Sequence, residues 1–494
     1  MLLCKKSAVR SSQLQVCVLS CTGITFTRTP RSLTMTPERI YEVTEAQRAF
    51  FQSGATLDVD GRIASLRTLR GAVHDYTRRF IVAAAQDAGL SEHMVLAAEI
   101  APVINDIDHM IKRLPALAKG RLVRRSRLHM WGWSRSVPRP AGIAVAVTAA
   151  DMPVQRALMP VVSALAAGTP LLLALSPRTP AVNGIVERLV QQFFKPEQIT
   201  VTTADNETTE AILGQRFDAC LCSAPRETAV RFARAAAEHL VPAVIETAEH
   251  RNPAIVLEDA DIRLAARRIV WAKTLAAGQT AAAPDYLVVH GAVRERLLAA
   301  LRKELEAQHG AIPSASSAFG RMTDNAAYEE AAAFLTDGTP VIGGDTDPAG
   351  RFINFTVLEN VQPDAPVMRS VTRSPVLPLF EVQSAEQAVE LVNSRPAPLA
   401  LYVFSTDVFT ARKVLDATTS GTAAVNDVLV QTVYPALPFG DAAGGGMGSH
   451  RGEAGFFAFS RLRSVTRGTN FIDLPFRFSP DAGWKQKILR YIIR

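Results

Sequence analysis

The sequence predicts an α/β protein of more than one domain, built around a doubly wound, Rossmann-like parallel sheet. From residue 142 onward, short apolar runs such as GIAVAVTAA and PLLLAL alternate with amphipathic runs such as AVNGIVERLVQQFF. Alternating strand and helix patterns predict parallel strands with helices on both faces. Such a sheet binds ligands in a crevice at the carboxyl ends of its strands. At 494 residues the chain is also too long for one ordinary core.

The composition is that of a soluble globular protein. Hydrophobic residues make up 48% of the chain and charged residues 20%, which excludes a largely disordered protein. No run of about eighteen apolar residues occurs, so we expect no membrane-spanning helix. The net charge of +7 is spread along the chain rather than gathered in blocks, so we predict no nucleic-acid partner.

The first 34 residues differ in composition from the rest of the chain. They carry lysines, arginines and many serines and threonines, and no acidic residue occurs before Glu38. This pattern is typical of a mitochondrial transit segment. The alternative is a disordered extension before a second possible start at Met35, and both remain open. The predicted location is mitochondrial or cytoplasmic.

The elements before and after the sheet follow from the same periodicities. Residues 44–117 repeat apolar side chains at three- and four-residue spacing, which predicts helices. Residues 120–139 are basic and aromatic and indicate a hairpin or connecting arm that faces solvent or another subunit. The alternating strands and helices then run to the strand PAVIE, which ends at Glu246. A second alternating block covers 254–425, and the glycine-rich stretch FGDAAGGGMGSHRG closes it.

The C-terminal segment WKQKILRYIIR has the pattern of a basic amphipathic helix. Trp484, Ile488 and Ile492 recur at every fourth position, with lysines and arginines between them. Such a segment lies on anionic membrane surfaces, so residues 484–494 predict a peripheral membrane contact. The alternative is a helix packed on its own domain or on a second subunit.

The cysteines favour a core role in a reducing compartment. Cys220 and Cys222 lie one residue apart in the apolar run FDACLCS, which indicates a buried strand rather than a disulfide or a metal clip. No His/Cys group has zinc-ligand spacing, so we predict no metal site.

Several strings, taken together, are more specific than any single motif. They are GQT-x-x-APDY at 278–286, PLALYVFS at 398–405, VND at 425–427, LPFG at 437–440 and GMG at 446–448, supported by FGRM at 319–322, PVM at 366–368 and PVLP at 375–378. With these strings in this order, the chain resembles the aldehyde dehydrogenases from about residue 44 to its C-terminus. It is most similar to the class 3 type, which oxidises medium- and long-chain or aromatic aldehydes.

The resemblance implies an aldehyde dehydrogenase-like fold and a homodimer. The implied organisation is a leader (1–34), a nucleotide-binding-type domain (35–246) with the arm (120–139), a catalytic-type domain (247–430), a bridging or oligomerisation segment (431–470) and a basic amphipathic tail (471–494). Class 3 members often carry a membrane-associating C-terminal segment, which favours the membrane interpretation of the tail. The family's reaction uses a thiolate that attacks the aldehyde, a nicotinamide that takes the hydride, and a glutamate-activated water that hydrolyses the thioester.

Residues in this sequence depart from that chemistry at the reacting centre. The nucleophile position is Ala281, which cannot form a covalent intermediate. The asparagine that helps to hold the oxyanion is replaced by Asp151, whose charge repels a developing oxyanion. The general-base position is retained as Glu246, but without an acyl intermediate we favour a carboxylate that has no catalytic task.

The cofactor positions depart in parallel. The lysine and glutamate that hold the adenosine ribose in the family fall on Ala174 and Pro177. The glycine-rich turn that approaches the pyrophosphate is replaced by SAPRETA at 223–229, where a proline removes an N–H donor. The Glu-x-Phe that grips the nicotinamide ribose falls on Val371 and Arg373. The degenerate cofactor positions are therefore Ala174, Pro177, Ala224, Pro225, Val371 and Arg373.

Three hypotheses follow from this set of replacements. The leading one is a catalytically inactive aldehyde dehydrogenase homologue that binds no cofactor and acts as a structural or binding protein. The second is an active NAD- or NADP-dependent enzyme that oxidises aldehydes to carboxylic acids at an unconventional site. The third is a cofactor-free binder of small molecules that uses the aldehyde tunnel. Fold alone does not decide among them.

Overall fold

The computed structural model describes residues 33–124, 132–370, 372–440, 445–471, 478–480 and 482–493. Residues 1–32, which carry most of the leader prediction, lie outside the described residues, as do Val371 and Arg494.

The predicted helical segment forms long helices that start at polar caps. The helix α1 (Pro37–Gln52) begins after Thr36, whose hydroxyl accepts a bond from a first-turn N–H, and α2 (Val59–Ala88) begins after Asp58 in the same way. Residues 92–119 continue as α3 (Glu92–Met94), a π-helical turn (Val95–Ile100) and α4 (Ala101–Lys119). The remaining helices are α5 (Pro153–Ala167), α6 (Pro180–Phe193), α7 (Asn206–Leu213), α8 (Arg226–Glu238), α9 (Ile262–Thr274), α10 (Arg294–His309), α11 (Asn325–Ala333), α12 (Pro366–Arg369), α13 (Ala385–Asn393), α14 (Val408–Asp416), α15 (Gly452–Ala458) and α16 (Gly483–Ile493).

The strands, numbered in chain order, fall into two large sheets and three smaller ones. They are β1 (Arg121–Val123), β2 (Trp133–Pro140), β3 (Ala144–Val147), β4 (Leu171–Leu175), β5 (Ile199–Thr203), β6 (Ala219–Ser223), β7 (Ala243–Glu246), β8 (Pro253–Val256), β9 (Tyr286–His290), β10 (Thr339–Ile342), β11 (Thr346–Asp347), β12 (Phe352–Ile353), β13 (Thr356–Glu359), β14 (Val376–Val382), β15 (Ala400–Phe404), β16 (Thr422–Val425), β17 (Phe439–Gly440), β18 (Gly446–Met447), β19 (Ser449–His450) and β20 (Ser460–Arg467).

The first large sheet is the predicted doubly wound sheet. Its parallel strands have the order β5-β4-β3-β6-β7, and β18 adds to β7 in the antiparallel direction. The chain therefore runs from β3 through β4 to β5 at one edge of the sheet. It then returns to the other side of β3, where β6 and β7 follow. This reversal creates a topological switch point between β3 and β6, where such sheets bind their ligands. The predicted fold class is confirmed.

The second large sheet has the order β10-β13-β14-β9-β8-β15-β16, parallel except for β10. A separate antiparallel sheet joins β1, β2 and β20. Strand β2, which begins within the segment predicted as an arm, pairs along its whole length with residues 460–467. Helix α5 is buried along its entire length beneath the first sheet and the α-helices that cover it. In the described part of the chain, no helix is long and apolar enough to cross a membrane.

Candidate active site

A cleft of about 310 Å³ lies at the switch point of the first sheet. The segment that follows β3, Thr148–Asp151, and the segment that follows β6, Ala224–Pro225, both line it. The cleft also reaches Glu246 at the end of β7 and Ala281 in the loop that precedes β9 of the second large sheet. The carboxyl ends of three parallel strands thus meet the loop that carries the GQT motif.

A second cavity of about 190 Å³ approaches the same point from another direction, and we call it the tunnel. Its walls are mainly apolar, among them Trp271, Leu275, Leu429, Val430, Val433 and Phe439. Asp151, Arg156 and Ala281 line both the cleft and the tunnel. These three residues therefore form the partition between the two cavities.

The loop that carries Ala281 begins with an unusual backbone turn. Ala276, Ala277 and Gly278 all have positive φ, at 48°, 52° and 68°. Side chains rarely adopt this left-handed conformation, so surrounding contacts must hold it. A Cβ at Gly278 would lie 2.7 Å from the carbonyl oxygen of Ser374, which explains glycine at that position.

Asn252 fixes the same loop by binding its backbone. Its Nδ2 donates to the carbonyl oxygens of Ala281 at 2.8 Å and Ala283 at 2.9 Å. Its Oδ1 accepts from the N–H of Ala400, and its own N–H donates to Asp285 Oδ2, both at 2.9 Å. Because these bonds use the backbone at 281, they hold the loop whatever side chain stands there.

Two further motif residues support this loop. The hydroxyl of Tyr402, within PLALYVFS, donates to the carbonyl oxygen of Ala282 at 2.5 Å. The amide of Gln279 donates to the carbonyl oxygen of Arg321 at 2.9 Å and accepts from the N–H of Thr323 at 3.0 Å. The strings that carry the family resemblance therefore converge on the backbone around Ala281.

Arg156, on α5, is the centre of a buried ion cluster at the partition. Its Nη1 and Nη2 donate to the two oxygens of Glu246 at 2.7 and 2.8 Å. Its Nε and Nη2 donate to the two oxygens of Asp151 at 3.2 and 3.0 Å. Its side chain is 5% exposed. One guanidinium thus engages two carboxylates through both of their oxygens, the strongest geometry available to arginine.

The cluster keeps Arg156 and Glu246 charged. Burial alone would raise the pKa of Glu246, but Arg156 and the hydrogen bond from His450 hold the pKa of that carboxyl well below its usual range. Burial alone would lower the pKa of Arg156, and the carboxylates of Asp151 and Glu246 raise it instead. His450 Nε2 lies 2.9 Å from Glu246 Oε2. Because the ionised carboxylate only accepts, this nitrogen carries the proton.

This arrangement changes what each sequence-assigned site residue can do. Ala281 presents only a methyl group. Its N–H donates to Asp151 Oδ2 at 3.3 Å, so this donor already has a partner. Glu246 has partners on both oxygens and a depressed pKa, whereas a general base works best with a pKa near the ambient pH. Thr280 Oγ1 is buried and has no hydrogen-bond partner among the described residues, so no base activates it.

A second buried cluster lies behind the loop, around Asp285. Arg251 Nη1 is 3.6 Å and Arg373 Nε 3.7 Å from Asp285 Oδ1. Burial raises the pKa of Asp285, but the two arginines outweigh it and lower that pKa. The buried Lys273 contributes a third positive group, and burial lowers its pKa to about 7. Arg373 also donates to the carbonyl oxygen of His250 at 3.1 Å. Arg373, which the family resemblance places at a cofactor position, therefore has a structural role.

The lining of the cleft does not match a dinucleotide site. Pro177, Ala224 and Pro225 line it, whereas Ala174 is fully buried within β4 and does not. Pro225 immediately precedes α8 and has no N–H for a phosphate. Two arginines that line the cleft are paired with carboxylates, Arg178 with Asp324 and Arg231 with Glu210, and Arg226 at the start of α8 is paired with Glu249. These positions therefore lack the donors that the family resemblance implies for a pyridine dinucleotide.

Cys220 and Cys222 lie in β6 and are buried. Burial raises the pKa of Cys220 to about 12 and that of Cys222 well above the usual thiol range, so neither supplies a thiolate. Within the described ranges, no group of three or more His, Cys, Asp or Glu side chains is placed to hold a metal ion.

Sequence reasoning missed Arg156 and His450. The available signal for Arg156 was a lone cation in PVQRALMPVVSALAAG, an otherwise apolar helix that must be buried. His450 lies within the glycine-rich stretch FGDAAGGGMGSHRG and had no sequence signal of its own.

Comparison with known proteins agrees with this architecture. The aldehyde dehydrogenase family model matches residues 17–465. The rat dimeric NADP-preferring aldehyde dehydrogenase is 30% identical over 425 residues, covering 86% of this chain and 94% of the relative. A family 3 aldehyde dehydrogenase of Dictyostelium discoideum is 31% identical over 438 residues, covering 88% and 93%. The substrate-bound structure of Staphylococcus aureus AldH superposes with a TM-score of 0.88 at 29% identity, covering 92% of this chain and 99% of that one. The chain belongs to the aldehyde dehydrogenase family.

Proposed function

We propose that this chain is a catalytically inactive member of the family that acts as a structural or binding protein. The observation that carries the proposal is the Asp151–Arg156–Glu246 cluster at Ala281. It occupies the point where a nucleophile, an oxyanion donor and a general base have to act together.

The loss of the nucleophile, of the oxyanion donor and of the general base is each expected to lower the rate of aldehyde oxidation strongly. Without a nucleophile there is no covalent route to the acyl intermediate. The main-chain N–H of Ala281 is already bonded to a carboxylate, and losing one oxyanion donor typically costs about 10²–10³ in rate. The remaining carboxylate at Glu246 is neutralised by Arg156 and has no acyl intermediate to hydrolyse.

We also propose that the cleft binds neither NAD nor NADP tightly. Pro177, Ala224 and Pro225 offer no side-chain donors, and a helix that starts after a proline lacks one of the N–H groups that phosphates use. The relatives named NADP-preferring motivate testing both nucleotides.

The activity test compares the natural chain with a variant in which the thiol is restored at position 281. Purified protein is expected to show no aldehyde-dependent reduction of NAD or NADP with octanal or benzaldehyde. Ala281→Cys is expected to remain inactive, because Asp151 disfavours a thiolate there and the cofactor contacts remain wrong. The matched control is Ala282→Cys, a neighbouring buried position.

Two outcomes of this test would change the proposal. Nucleotide reduction by the natural chain, persisting after contaminant controls, would establish the alternative of an active enzyme with an unconventional site. Substantial activity in Ala281→Cys alone would show that Asp151 and the cofactor positions matter little. Calorimetric titration with each nucleotide tests the cleft separately from turnover.

We further propose a homodimer with a peripheral membrane contact through α16. Trp484 and Ile488 are 50% and 37% exposed, so this apolar stripe is largely uncovered by the described part of the chain. Sedimentation is expected to give twice the mass of one chain. Flotation with phosphatidylserine vesicles is expected to carry the natural protein but not the Trp484→Ala/Ile488→Ala variant. A monomer, or equal flotation of both proteins, would contradict the respective proposal.

A further inference from the structure

The small sheet of β1, β2 and β20 has one side that is rich in arginine. In β20, Arg461, Arg463 and Arg467 stand at alternating positions. Strand β2 adds Arg135 and Arg139 in the same alternation, and the register pairs Arg139 with Arg461. Alternating residues of a strand, and paired residues of neighbouring strands, point to the same side of a sheet. These five arginines therefore share one side of the sheet, which we call the basic face.

The acids of the chain do not balance the charge of the basic face. None of the three strands contains an aspartate or a glutamate. In the described part of the chain, no carboxylate oxygen lies within 4.0 Å of the five side chains. Asp218 is close by, since its carbonyl oxygen accepts from Arg461 at 3.0 Å. The carboxylate of Asp218, however, accepts from the N–H of Ile143 at 3.0 Å and lies 3.8 Å from Arg48.

A buried cation adds to the positive charge beside the basic face. Arg62 is 8% exposed, and its Nε donates to the carbonyl oxygen of Thr56 at 2.6 Å. Burial, followed by repulsion from Arg139, lowers the pKa of Arg62 to about 10, and attraction by Asp58 opposes both effects. The group stays charged at neutral pH. Arg139 therefore has a like charge beside it, which an anion on the basic face would offset.

Apolar side chains accompany the arginines on the same side of the sheet. The register pairs Leu122 of β1 with Arg135 and Trp133 with Arg467, so both apolar residues belong to the basic face. Leu122 is 60% exposed and Trp133 38%. The Cζ atom of Arg135 lies 5.6 Å from the centroid of the Trp133 ring. Arginine beside exposed tryptophan and leucine suits a membrane interface, where apolar groups leave water and cations meet phosphate groups.

We propose that the basic face binds the surface of a membrane that contains anionic phospholipids. This contact would add to the one proposed for α16, and it rests on that proposed function rather than on the inactivity of the site. Guanidinium groups bind phosphate oxygens through two hydrogen bonds, and two weak contacts in one chain bind a vesicle more tightly than either alone. Strand β20 lies at the edge of its sheet, so contact through the broad side leaves that edge for a second subunit.

The side chains of the basic face favour a membrane over a nucleic acid. A single strand of RNA would also meet the arginines, but its bases need several open aromatic rings on which to stack. Trp133 is the one aromatic residue of the three strands, and Arg135 lies over its ring. Leu122 offers nothing to a base or a phosphate, whereas it can enter the interfacial layer of a lipid surface.

The first test removes charge from the basic face of the full chain. The natural protein is expected to bind vesicles of equimolar phosphatidylserine and phosphatidylcholine, and not vesicles of phosphatidylcholine alone, in flotation titrations at about 0.15 M salt. Each arginine near an anionic leaflet contributes about fivefold in affinity, so Arg139→Gln/Arg463→Gln/Arg467→Gln is expected to weaken binding about 100-fold. The triple lysine variant at the same positions is expected to keep most of the affinity, because it keeps the charge.

A matched control removes the same charge from another surface. Arg263→Gln/Arg267→Gln/Arg296→Gln changes three exposed arginines of α9 and α10 and is expected to bind the vesicles like the natural protein. Every side chain changed in these triple variants is exposed, so their unfolding midpoints are expected to match that of the natural protein. A loss of binding therefore reports on the surface and not on folding.

The salt concentration separates the basic face from α16. Trp484→Ala/Ile488→Ala is expected to bind the anionic vesicles again at about 0.01 M salt, because weaker screening strengthens the remaining electrostatic contact. Adding the three glutamine changes of the basic face to this variant is expected to abolish that recovery. A recovery that persists with the glutamine changes would remove the basic face from the membrane contact while leaving the contact of α16 in place.

Three further results would each overturn the proposal. They are equal binding to anionic and neutral vesicles, unchanged vesicle binding after the three glutamine changes, and no vesicle binding by the natural chain. Tight binding of poly(U) RNA that displaces the vesicles from the natural chain, and that the glutamine changes abolish, would assign the basic face to a nucleic acid instead. If Trp484→Ala/Ile488→Ala floats like the natural protein at both salt concentrations, the proposal for α16 fails and that for the basic face stands.

Discussion

Arg156→Leu is expected to destabilise the protein by about 3–5 kcal/mol, because it leaves the buried carboxylate of Glu246 and the partly exposed carboxylate of Asp151 without their shared cation. Arg156 is 5% exposed and Glu246 7%, so water does not replace the lost charge. The free energy of unfolding at neutral pH, measured by urea denaturation, checks this. Arg70→Leu breaks the exposed pair with Asp108 and is expected to leave the free energy of unfolding almost unchanged.

The pH dependence of this variant has a definite sign. In the natural protein, the folded-state pKa of Glu246 lies below its unfolded value of 4.5, so its stabilisation is present above that pH and is lost on acidification. Without Arg156, burial is expected to raise the folded-state pKa of Glu246. The variant then binds protons on folding, and its deficit relative to the natural protein shrinks as the pH falls.

A compensated variant tests whether charge imbalance is the cause. Arg156→Leu combined with Asp151→Asn and Glu246→Gln removes all three charges and is expected to recover most of the lost stability. A single Arg156→Leu variant that unfolds with the same free energy as the natural protein would show that the cluster contributes nothing to the fold.

The sheet architecture could be predicted because it depends on local patterns. Each strand of the first sheet is a short apolar run between amphipathic helices, and parallel crossovers leave few alternative topologies. The strand pattern placed Glu246 at a strand end, and the family resemblance assigned Asp151 to the same site. The switch-point rule predicts a crevice at such strand ends. Both line the cleft, as does Ala281.

The ion cluster could not be predicted because its members are distant in the sequence. Glu246 is 90 residues from Arg156 and 204 from His450. Local spacing carries no information about such contacts. The sequence argument treated Asp151 as a charge that repels an oxyanion, whereas the structure pairs that charge with Arg156 and with the N–H of Ala281.

The motif around Ala281 has a structural explanation that does not need a reactive side chain. The bonds from Asn252 and Tyr402 reach the carbonyl oxygens of Ala281, Ala282 and Ala283. A change at the side chain of residue 281 leaves all of these hydrogen bonds in place. A change at Asp285, in contrast, alters the side chain that accepts from the N–H of Asn252.

Asp285→Asn is expected to destabilise the protein by about 3–5 kcal/mol through the loss of charge alone. The asparagine carbonyl can still accept from the N–H of Asn252, which donates to Asp285 at 2.9 Å in the natural protein. What disappears is the one carboxylate among the described residues that lies within 4.0 Å of Arg251 and Arg373, while Lys273 adds to the positive charge nearby. Asp259→Asn is the matched control, since Asp259 accepts hydrogen bonds from Ser405 and the N–H of Asp407 and has no cation of the described residues paired with it. That change is expected to cost about 1 kcal/mol or less.

The pH dependence distinguishes this mechanism from a packing defect. Asp285 raises the pKa of Lys273 against burial, so its removal is expected to move that pKa below the value of about 7 that it has in the natural protein. Between the two values only the natural folded state holds the proton. The stability deficit of Asp285→Asn is therefore expected to grow as the pH falls from about 8 to about 6. A deficit that stays constant over this range would point to lost packing, and no deficit at all would remove Asp285 from the forces that hold the Ala281 loop.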